Sequence, residues 1–301
     1  MRTPLVLPAG YRARPATLAD VPAIGGLLGA CEHALLGRAE TDLDAVAAPF
    51  ARPGFDPELD TSMVFDPADV LVARAWVKKR CEVDVHPRHR GRGLGGALLD
   101  WVEARARRDG TPQLTQTVPD EDEAAVALLR SRGFEPIVVN WRLEIALPTE
   151  PEVPEPPPGI TVRPFRAGDG PAAHQLLEDA FQEWGQRRRS YTEWAALTVG
   201  RTSFAPDVSP VAFAGDQMIG AVLALDVPGT TEGYIERLAV RHDHRGRGVA
   251  RLLLRDTFRG FFQRGRLGCT LWTHSRTGAL ALYERVGMSV GRSTTAYAKI
   301  L

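Results

Sequence analysis

The chain has 301 residues, 44% of them hydrophobic and 25% charged, with lysine plus arginine equal to aspartate plus glutamate at 37 each. That length accommodates two domains of ordinary size, and the composition is that of a soluble globular protein rather than a disordered or fibrous one. The balanced charge argues against a nucleic-acid footprint or a polybasic membrane surface. In chain order, residues 11–15 read as a short first strand. Thr17 or Asp20 then caps a helix through about Cys31, with Val21, Ile24, Leu27 and Leu28 on one face. Residues 42–50 form a weaker helix, and 52–61 a loop rich in Pro, Gly and Asp. Residues 63–65, 70–77 and 81–85 read as three strands, 94–107 as a helix, 114–118 as a strand, 122–132 as a helix stopped by Gly133, and 137–145 as a last strand or pair.

Six of the eleven residues from Pro148 to Pro158 are proline, which excludes a helix or a central strand and predicts an extended spacer. The pattern then restarts. Ile160-Thr-Val-Arg-Pro164 echoes Arg12-Ala-Arg-Pro15, and Asp169 stands where Asp20 stood. Helices follow at 171–184 and 190–197, and a hairpin turns about Gly215-Asp216-Gln217 between 211–214 and 218–227. Residues 233–240 are a strand, 249–262 a helix, 268–273 a strand, 278–286 a helix ended by Gly287, and 293–300 the closing strand. The expected division is an N-terminal domain at 1–147, a linker at 148–159 and a C-terminal domain at 160–301. Cys31, Cys81 and Cys269 form no C-x-x-C and cannot all pair, so a reducing cytoplasm is the expected compartment. The histidines show no metal-ligand spacing, and no apolar run approaches a signal peptide or a membrane span.

The stretch Leu238-Ala-Val-Arg-His-Asp-His-Arg-Gly-Arg-Gly-Val-Ala250 joins a strand to a helix. Glycines at such a turn let the backbone approach a ligand, and the unpaired amides that open the helix favour an anion. Arg245, Gly246, Arg247, Gly248, Val249 and Ala250 are thus a candidate diphosphate cradle. Val83-Asp-Val-His-Pro-Arg-His-Arg-Gly-Arg-Gly-Leu-Gly95 repeats it, and His89 to Gly93 is identical to His244 to Gly248, so the chain reads as an internal duplication. The glycine spacing is not that of a dinucleotide-binding fingerprint.

R-x-x-G-x-A after a strand ending Leu-Ala-Val resembles the acyl-CoA-binding signature of the GNAT N-acetyltransferases, and the whole chain outside the linker resembles a tandem-GNAT protein. Gly278-Ala-Leu-Ala-Leu-Tyr-Glu-Arg-Val-Gly-Met288 resembles the family's second motif, with Met288 in place of the usual phenylalanine. The resemblance implies an α/β (α+β) fold of two domains, each a mixed, mostly antiparallel sheet flanked by helices. It implies acetyl-CoA as co-substrate, a small primary amine as acceptor, and no metal, nucleic acid or membrane; the oligomeric state is left open. It makes Tyr283 the general acid for the departing thiolate. A glutamate on the preceding strand would be the base: alternation puts Glu232, Tyr234, Glu236, Leu238 and Val240 on one face, with Glu236 the first choice and Glu232 the second. Leu238, Val240 and Ser275 would flank the pantetheine arm, with the Val240 amide as oxyanion donor. The acceptor would meet Trp184, Arg187, Arg188, Arg189, Tyr191 and Trp194, with Trp272, His274 and Ser275 near the arm.

In the first copy, Leu129 and Cys81 occupy the positions of Tyr283 and Glu236, so the N-terminal domain is expected to be non-catalytic. Cys81 is either a nucleophile or a small strand residue. Val83, Val85, Arg90, Gly91, Arg92, Gly93, Leu94 and Gly95 would still form a CoA cradle, on the reasoning that a purely structural turn would tolerate a side chain at Gly93 or Gly95. The other reading is that this domain only buttresses its partner. Acceptors of other kinds remain open, namely an aminoglycoside-like antibiotic or a peptide or protein N-terminus. So does a non-catalytic acyl-CoA-binding regulator.

Overall fold

The computed structural model describes residues 3–51, 54–78, 80–183, 185, 187–227 and 229–301. The chain forms two compact units, one of Met1–Val139 with Thr294–Leu301, the other of Asn140–Ser293.

The first unit contains β1 (Arg12–Arg14), α1 (Val21–Leu36), α2 (Leu43–Ala47), α3 (Pro57–Asp60), β2 (Thr61–Phe65), β3 (Leu71–Val77), β4 (Cys81–Val85), α4 (Leu94–Arg108), β5 (Gln113–Pro119) and α5 (Glu123–Ser131). Strands β1 to β4 form an antiparallel sheet in chain order. β2 and β3 are buried along their whole length because helices cover both faces. Ile24, Leu27 and Cys31 of α1 pack with Met63, Phe65 and Trp76 on one side. Leu94, Leu98, Leu99 and Val102 of α4 pack with Val64, Val72 and Ala75 on the other. α1 runs five residues past the expected end, to Leu36. Its stop is Gly37, left-handed at φ +73°, whose N–H bonds the His33 carbonyl. Within the expected loop, the single turn α3 forms because Asp56 caps Glu58 and Pro57 opens the helix; Arg52 and Pro53 lie outside the described residues.

The second unit contains β7 (Ile160–Pro164), α6 (Gly170–Gln182), α7 (Tyr191–Leu197), β8 (Pro210–Ala214), β9 (Gln217–Leu225), β10 (Glu232–Val240), α8 (Val249–Gln263), β11 (Gly268–His274) and α9 (Leu280–Arg285). β7 to β10 pair antiparallel in order, and β11 joins β10 in parallel. One face of this sheet carries α6 and α7 over Ala221, Leu223 and Ala239. The other carries α8 and α9 over Val222, Ala224, Ile235 and Leu271.

The duplication is visible in the side chains. Arg14 grips Asp20 at 2.7 and 2.6 Å, and Arg163 grips Asp169 at 2.7 and 2.8 Å. In each case the carboxylate also accepts the backbone N–H three residues before it, Thr17 or Arg166, both at 2.7 Å. The arginines hold both carboxyls down, Asp20 to about 2.

The two units do not follow a linear division. Strand β6 (Glu135–Ala146) begins in the first unit, but its residues 140–146 pair antiparallel with β11, and Leu143 and Leu147 are buried in the second unit's core. Strand β12 (Ser289–Ile300) begins in the second unit, but its residues 294–300 pair with β5, and Tyr297 is buried in the first unit's core. The units therefore depart from the expected 1–147 and 160–301 by exchange of these two segments. Residues 148–158 carry neither helix nor strand, as their prolines require. Among the described residues no helix is long and apolar enough to cross a membrane.

Candidate active site

In the second unit, β10 and β11 stay paired only from Glu232↔Gly268 to Ile235↔Leu271. β10 continues along β9 as far as Val240↔Gly220. Beyond Ile235 the parallel pair is split, leaving an unpaired edge on β10. The Arg241 N–H bonds the Ile219 carbonyl of β9 at 2.8 Å. Amides alternate along a strand, so the Val240 N–H points the other way, into the split.

The chain then turns into α8 through Gly246 at φ +74° and Gly248 at φ +83°, conformations that side chains oppose. The first amides of α8 have no intrahelical partner and give this end of the cleft a partial positive charge. Close seating of α8 on β9 depends on Gly220, where a Cβ would come within 2.9 Å of Leu253 and 3.1 Å of Val249.

The split opens into a cavity of about 610 Å³. Among the residues singled out in the sequence, Glu236, Leu238 and Val240 line it from the strand; Arg245, Gly246, Gly248, Val249 and Ala250 from the turn; Tyr283 from α9. Glu232, Arg247 and Ser275 do not. The Tyr283 side chain is buried, and burial pushes its hydroxyl up to about 12, so it stays protonated at neutral pH. His274, also lining the cavity, has a buried Nδ1 with no hydrogen-bond partner, and burial followed by the charge of Arg276 pulls its pKa down. The Arg245 guanidinium is held by partners of its own. It donates to the Val240 carbonyl at 3.0 Å and to both oxygens of Glu183 at 2.7 and 3.1 Å, latching the strand end to the end of α6.

The expected alternation along β10 fails, and its cause is a bulge. Ile235 pairs with Ala224 and Arg237 with Leu223, so Glu236 is an extra residue with no opposite number. One inserted residue exchanges the faces. Tyr234, Arg237 and Ala239 share the α6 face, while Ile235, Leu238 and Val240 share the α8 face. The Glu236 carboxylate lies 4.0 Å from both Arg201 and Arg237. Glu232, at the far end of the strand, is instead bonded to Arg142 at 2.9 Å. The two candidate bases are thereby separated, one in the cleft and one in an ion pair outside its lining.

On the acceptor side, Trp184 lies outside the described residues. Trp194 is not a surface residue: it is 1% exposed in the core beneath α6 and α7. Tyr191 stacks on it, and Arg187, Arg188 and Arg189 face Glu193, Asp179 and Glu178, so that run is neutralised locally. Trp272 is 41% exposed on the cavity wall, with Arg292 over its ring. Arg237, Phe181 and Thr273 also line the cavity and had no sequence signal. Arg237 stands opposite Leu238 and Val240, on the face packed by Phe181, and Phe181 and Thr273 look like ordinary core-facing residues.

The first unit repeats the turn with the same backbone, Gly91 at φ +74° and Gly93 at φ +83°. β4 and β5 make no ladder with each other. The His86 N–H bonds the Val72 carbonyl, so the Val85 amide points into that gap, as Val240 does in the second unit. Other details differ. Arg90 pairs with Asp122 at 2.9 Å. The Gln116 side chain reaches the Val83 carbonyl at 3.5 Å, and Cys81 reaches the Thr115 carbonyl at 3.6 Å. Cys81 is buried and its thiol is pushed up to about 12, which makes it a strand residue and not a nucleophile. The glycine argument also needs correction. Gly93 is required by its left-handed φ, and a Cβ at Gly95 would lie 2.9 Å from Leu128, so both have local causes without a ligand.

The model of the acetyltransferase (GNAT) family matches residues 71–134 and 171–288, more than half of the chain. A mycothiol acetyltransferase of Saccharopolyspora erythraea is 30% identical over 226 residues, 68% of this chain and 71% of that protein. The crystal structure of a GCN5-related N-acetyltransferase from Sphaerobacter thermophilus superposes with a TM-score of 0.80 at 29% identity, covering 98% of this chain and 97% of that one. A tandem GNAT protein from the clavulanic acid biosynthesis pathway shares the fold, with a TM-score of 0.72 at 18% identity over 96% of this chain and 98% of that one. With two GNAT-type regions, a strand split beside a glycine turn and these relatives, the chain belongs to the GNAT family of N-acetyltransferases.

Proposed function

We propose that the second unit transfers an acetyl group from acetyl-CoA directly to a primary amine of a small molecule. The observation that carries this reading is the convergence, on one cavity, of the turn residues Gly246, Gly248, Val249 and Ala250, the unpaired edge of β10 and Tyr283. In this scheme the turn holds the diphosphate and the split strands hold the pantetheine arm. Glu236 takes the proton of the attacking amine, directly or through water. The Val240 N–H stabilises the oxygen of the tetrahedral intermediate, charge that exists only after attack. Tyr283 gives its proton to the sulfur as the thioester bond breaks, so the products are the N-acetylated amine and CoA thiol. The first unit, with Leu129 and Cys81 at the corresponding positions, holds CoA on its matching turn without turnover.

A second reading of the acceptor follows from the relatives named mycothiol acetyltransferase. It makes the acceptor the substrate of those proteins. The test for both is release of CoA thiol from acetyl-CoA across an amine library that includes that substrate, with Tyr283→Phe and Glu236→Gln as controls. Binding of acetyl-CoA without thiol release from any amine would replace the enzyme reading with that of a regulator.

A further inference from the structure

Around Glu236 the α6 face of β10 carries more positive charge than the protein neutralises. Arg201 approaches one oxygen of Glu236 and Arg237 the other, each at 4.0 Å. Among the described residues neither guanidinium makes a shorter polar contact. Arg142, Arg163, Arg245 and Arg264 of the same unit, by contrast, bond carboxylates at 2.7–2.9 Å. Arg237 is 24% exposed at its side chain and stacked on Phe181, 5.1 Å from the ring centre, which fixes its plane and leaves its N–H edge for another partner. The Tyr234 hydroxyl lies in the same group: after burial, the charges that act on it are those of Glu236, Arg237, Arg201 and Arg142. Both Glu236 and Arg237 line the cavity.

Two guanidinium groups on one carboxylate leave one net positive charge at the place where the acceptor must sit. We propose that this group is an anion subsite, and that the acceptor is an amine that also bears a carboxylate close to its nitrogen, as in an amino acid. A single carboxylate balances the surplus, whereas a dianionic phosphate would overshoot it. The carboxylate takes Arg237 and Arg201 as charge-assisted donors, with the Tyr234 hydroxyl as a third. The subsite also matters in the reaction. When Glu236 takes the amine proton it becomes neutral, and both guanidinium charges then face the acceptor's carboxylate, so the attraction is stronger in the transition state than in the ground state.

The inference rests on the acetyltransfer reading above, and the experiment separates the two. On the full chain, thiol release is measured with L-amino acids, β-alanine and 4-aminobutyrate, each beside its carboxamide. For the best pair, kcat/KM of the carboxylate exceeds that of the carboxamide at least tenfold, in line with a hydrogen bond to a charged group. Arg237→Gln and Arg201→Gln bring the two to within roughly threefold by raising KM for the carboxylate, and Arg237→Lys restores part of the difference. Equal use of acid and amide, or arginine variants that lower kcat for both alike, would overturn the subsite and leave the arginines as supports of Glu236. Calorimetry with N-acetyl amino acids and their amides, on the protein saturated with CoA, reads the preference without turnover. Absence of thiol release from every amine would then sink the enzyme reading alone, while equal affinity for acid and amide would sink the subsite alone.

Discussion

Replacing Tyr283 by phenylalanine removes one oxygen from a buried position and leaves the ring to pack against the core of the second unit. The size of the effect follows from proton affinities. The hydroxyl sits near 12, whereas a thiol in water titrates at about 8.5, so donation to a solvated thiolate would be uphill by roughly 3.5 units, about 5 kcal/mol. The cavity is not water. Burial, first among causes that include nearby carboxylates, lifts the Cys31 and Cys81 thiols of this chain to about 12, and a thiolate expelled beside Tyr283 also lies away from bulk solvent. Donor and acceptor are then matched, and the proton moves as the thioester bond breaks. Without it the thiolate must leave bare, at a loss of roughly 10²- to 10⁴-fold in kcat. Acetyl-CoA affinity by calorimetry should change less than about threefold, because the lost group is a proton donor and not a binding surface. The sign of the pH effect is also fixed. The folded pKa is raised above the unfolded 10, so this tyrosine's share of stability is complete below pH 10 and is lost as pH rises towards 12, by up to about 3 kcal/mol. The wild type should therefore lose more stability than Tyr283→Phe over that interval in alkaline denaturation. A variant that keeps more than half of kcat, or whose loss of rate is matched by loss of acetyl-CoA affinity, would refute the assignment of Tyr283 as general acid.

Leu143→Ala changes a residue from the first half of the chain, yet it should weaken the second unit by about 2–5 kcal/mol, because the side chain is fully buried in that core; loss of acetyltransfer at a lower temperature than wild type checks it. Deletion of residues 1–147 should leave β11 paired with β10 but without its other partner strand β6, and the second unit unable to fold, as read by circular dichroism. CoA titrated into the full chain should bind with two equivalents, one per turn; Gly248→Glu and Gly93→Glu should each remove one, and a wild-type stoichiometry of one would show the first turn to be scaffold. Asp20 and Asp169 are held below the ordinary carboxylate range by Arg14 and Arg163, so they stabilise the fold above about pH 4 and that contribution disappears as pH falls below it, for Asp20 towards 2; acid denaturation of Asp20→Asn and Asp169→Asn should show a shallower decline than wild type.

Much of this protein is local, and what is local can be read from residues alone. Helix and strand periods, the stop at Gly133, the prolines of 148–158 and the hairpin at Gly215 each depend on a few neighbouring residues. The repeat of His-Arg-Gly-Arg-Gly revealed the duplication, and the left-handed glycines of both turns agree to the degree. Those same residues pointed to the family, hence to the donor. Three decisions belonged to the tertiary structure. The bulge at Glu236 depends on how β10 meets β9, and a single inserted residue moves Tyr234 to the opposite face from Leu238 and Val240, beside Arg237. The exchange of residues 140–147 and 294–301 depends on which sheet edge each long strand finds, a pairing between segments far apart in sequence that no local period encodes. The surplus charge at Arg201 and Arg237 appears only when two arginines 36 positions apart meet one carboxylate, while the conspicuous run Arg187 to Arg189, between α6 and α7, faces acids on those two flanking helices. A sequence counts charges and places them along one line; their balance at a site is set by which of them the fold leaves without a close partner.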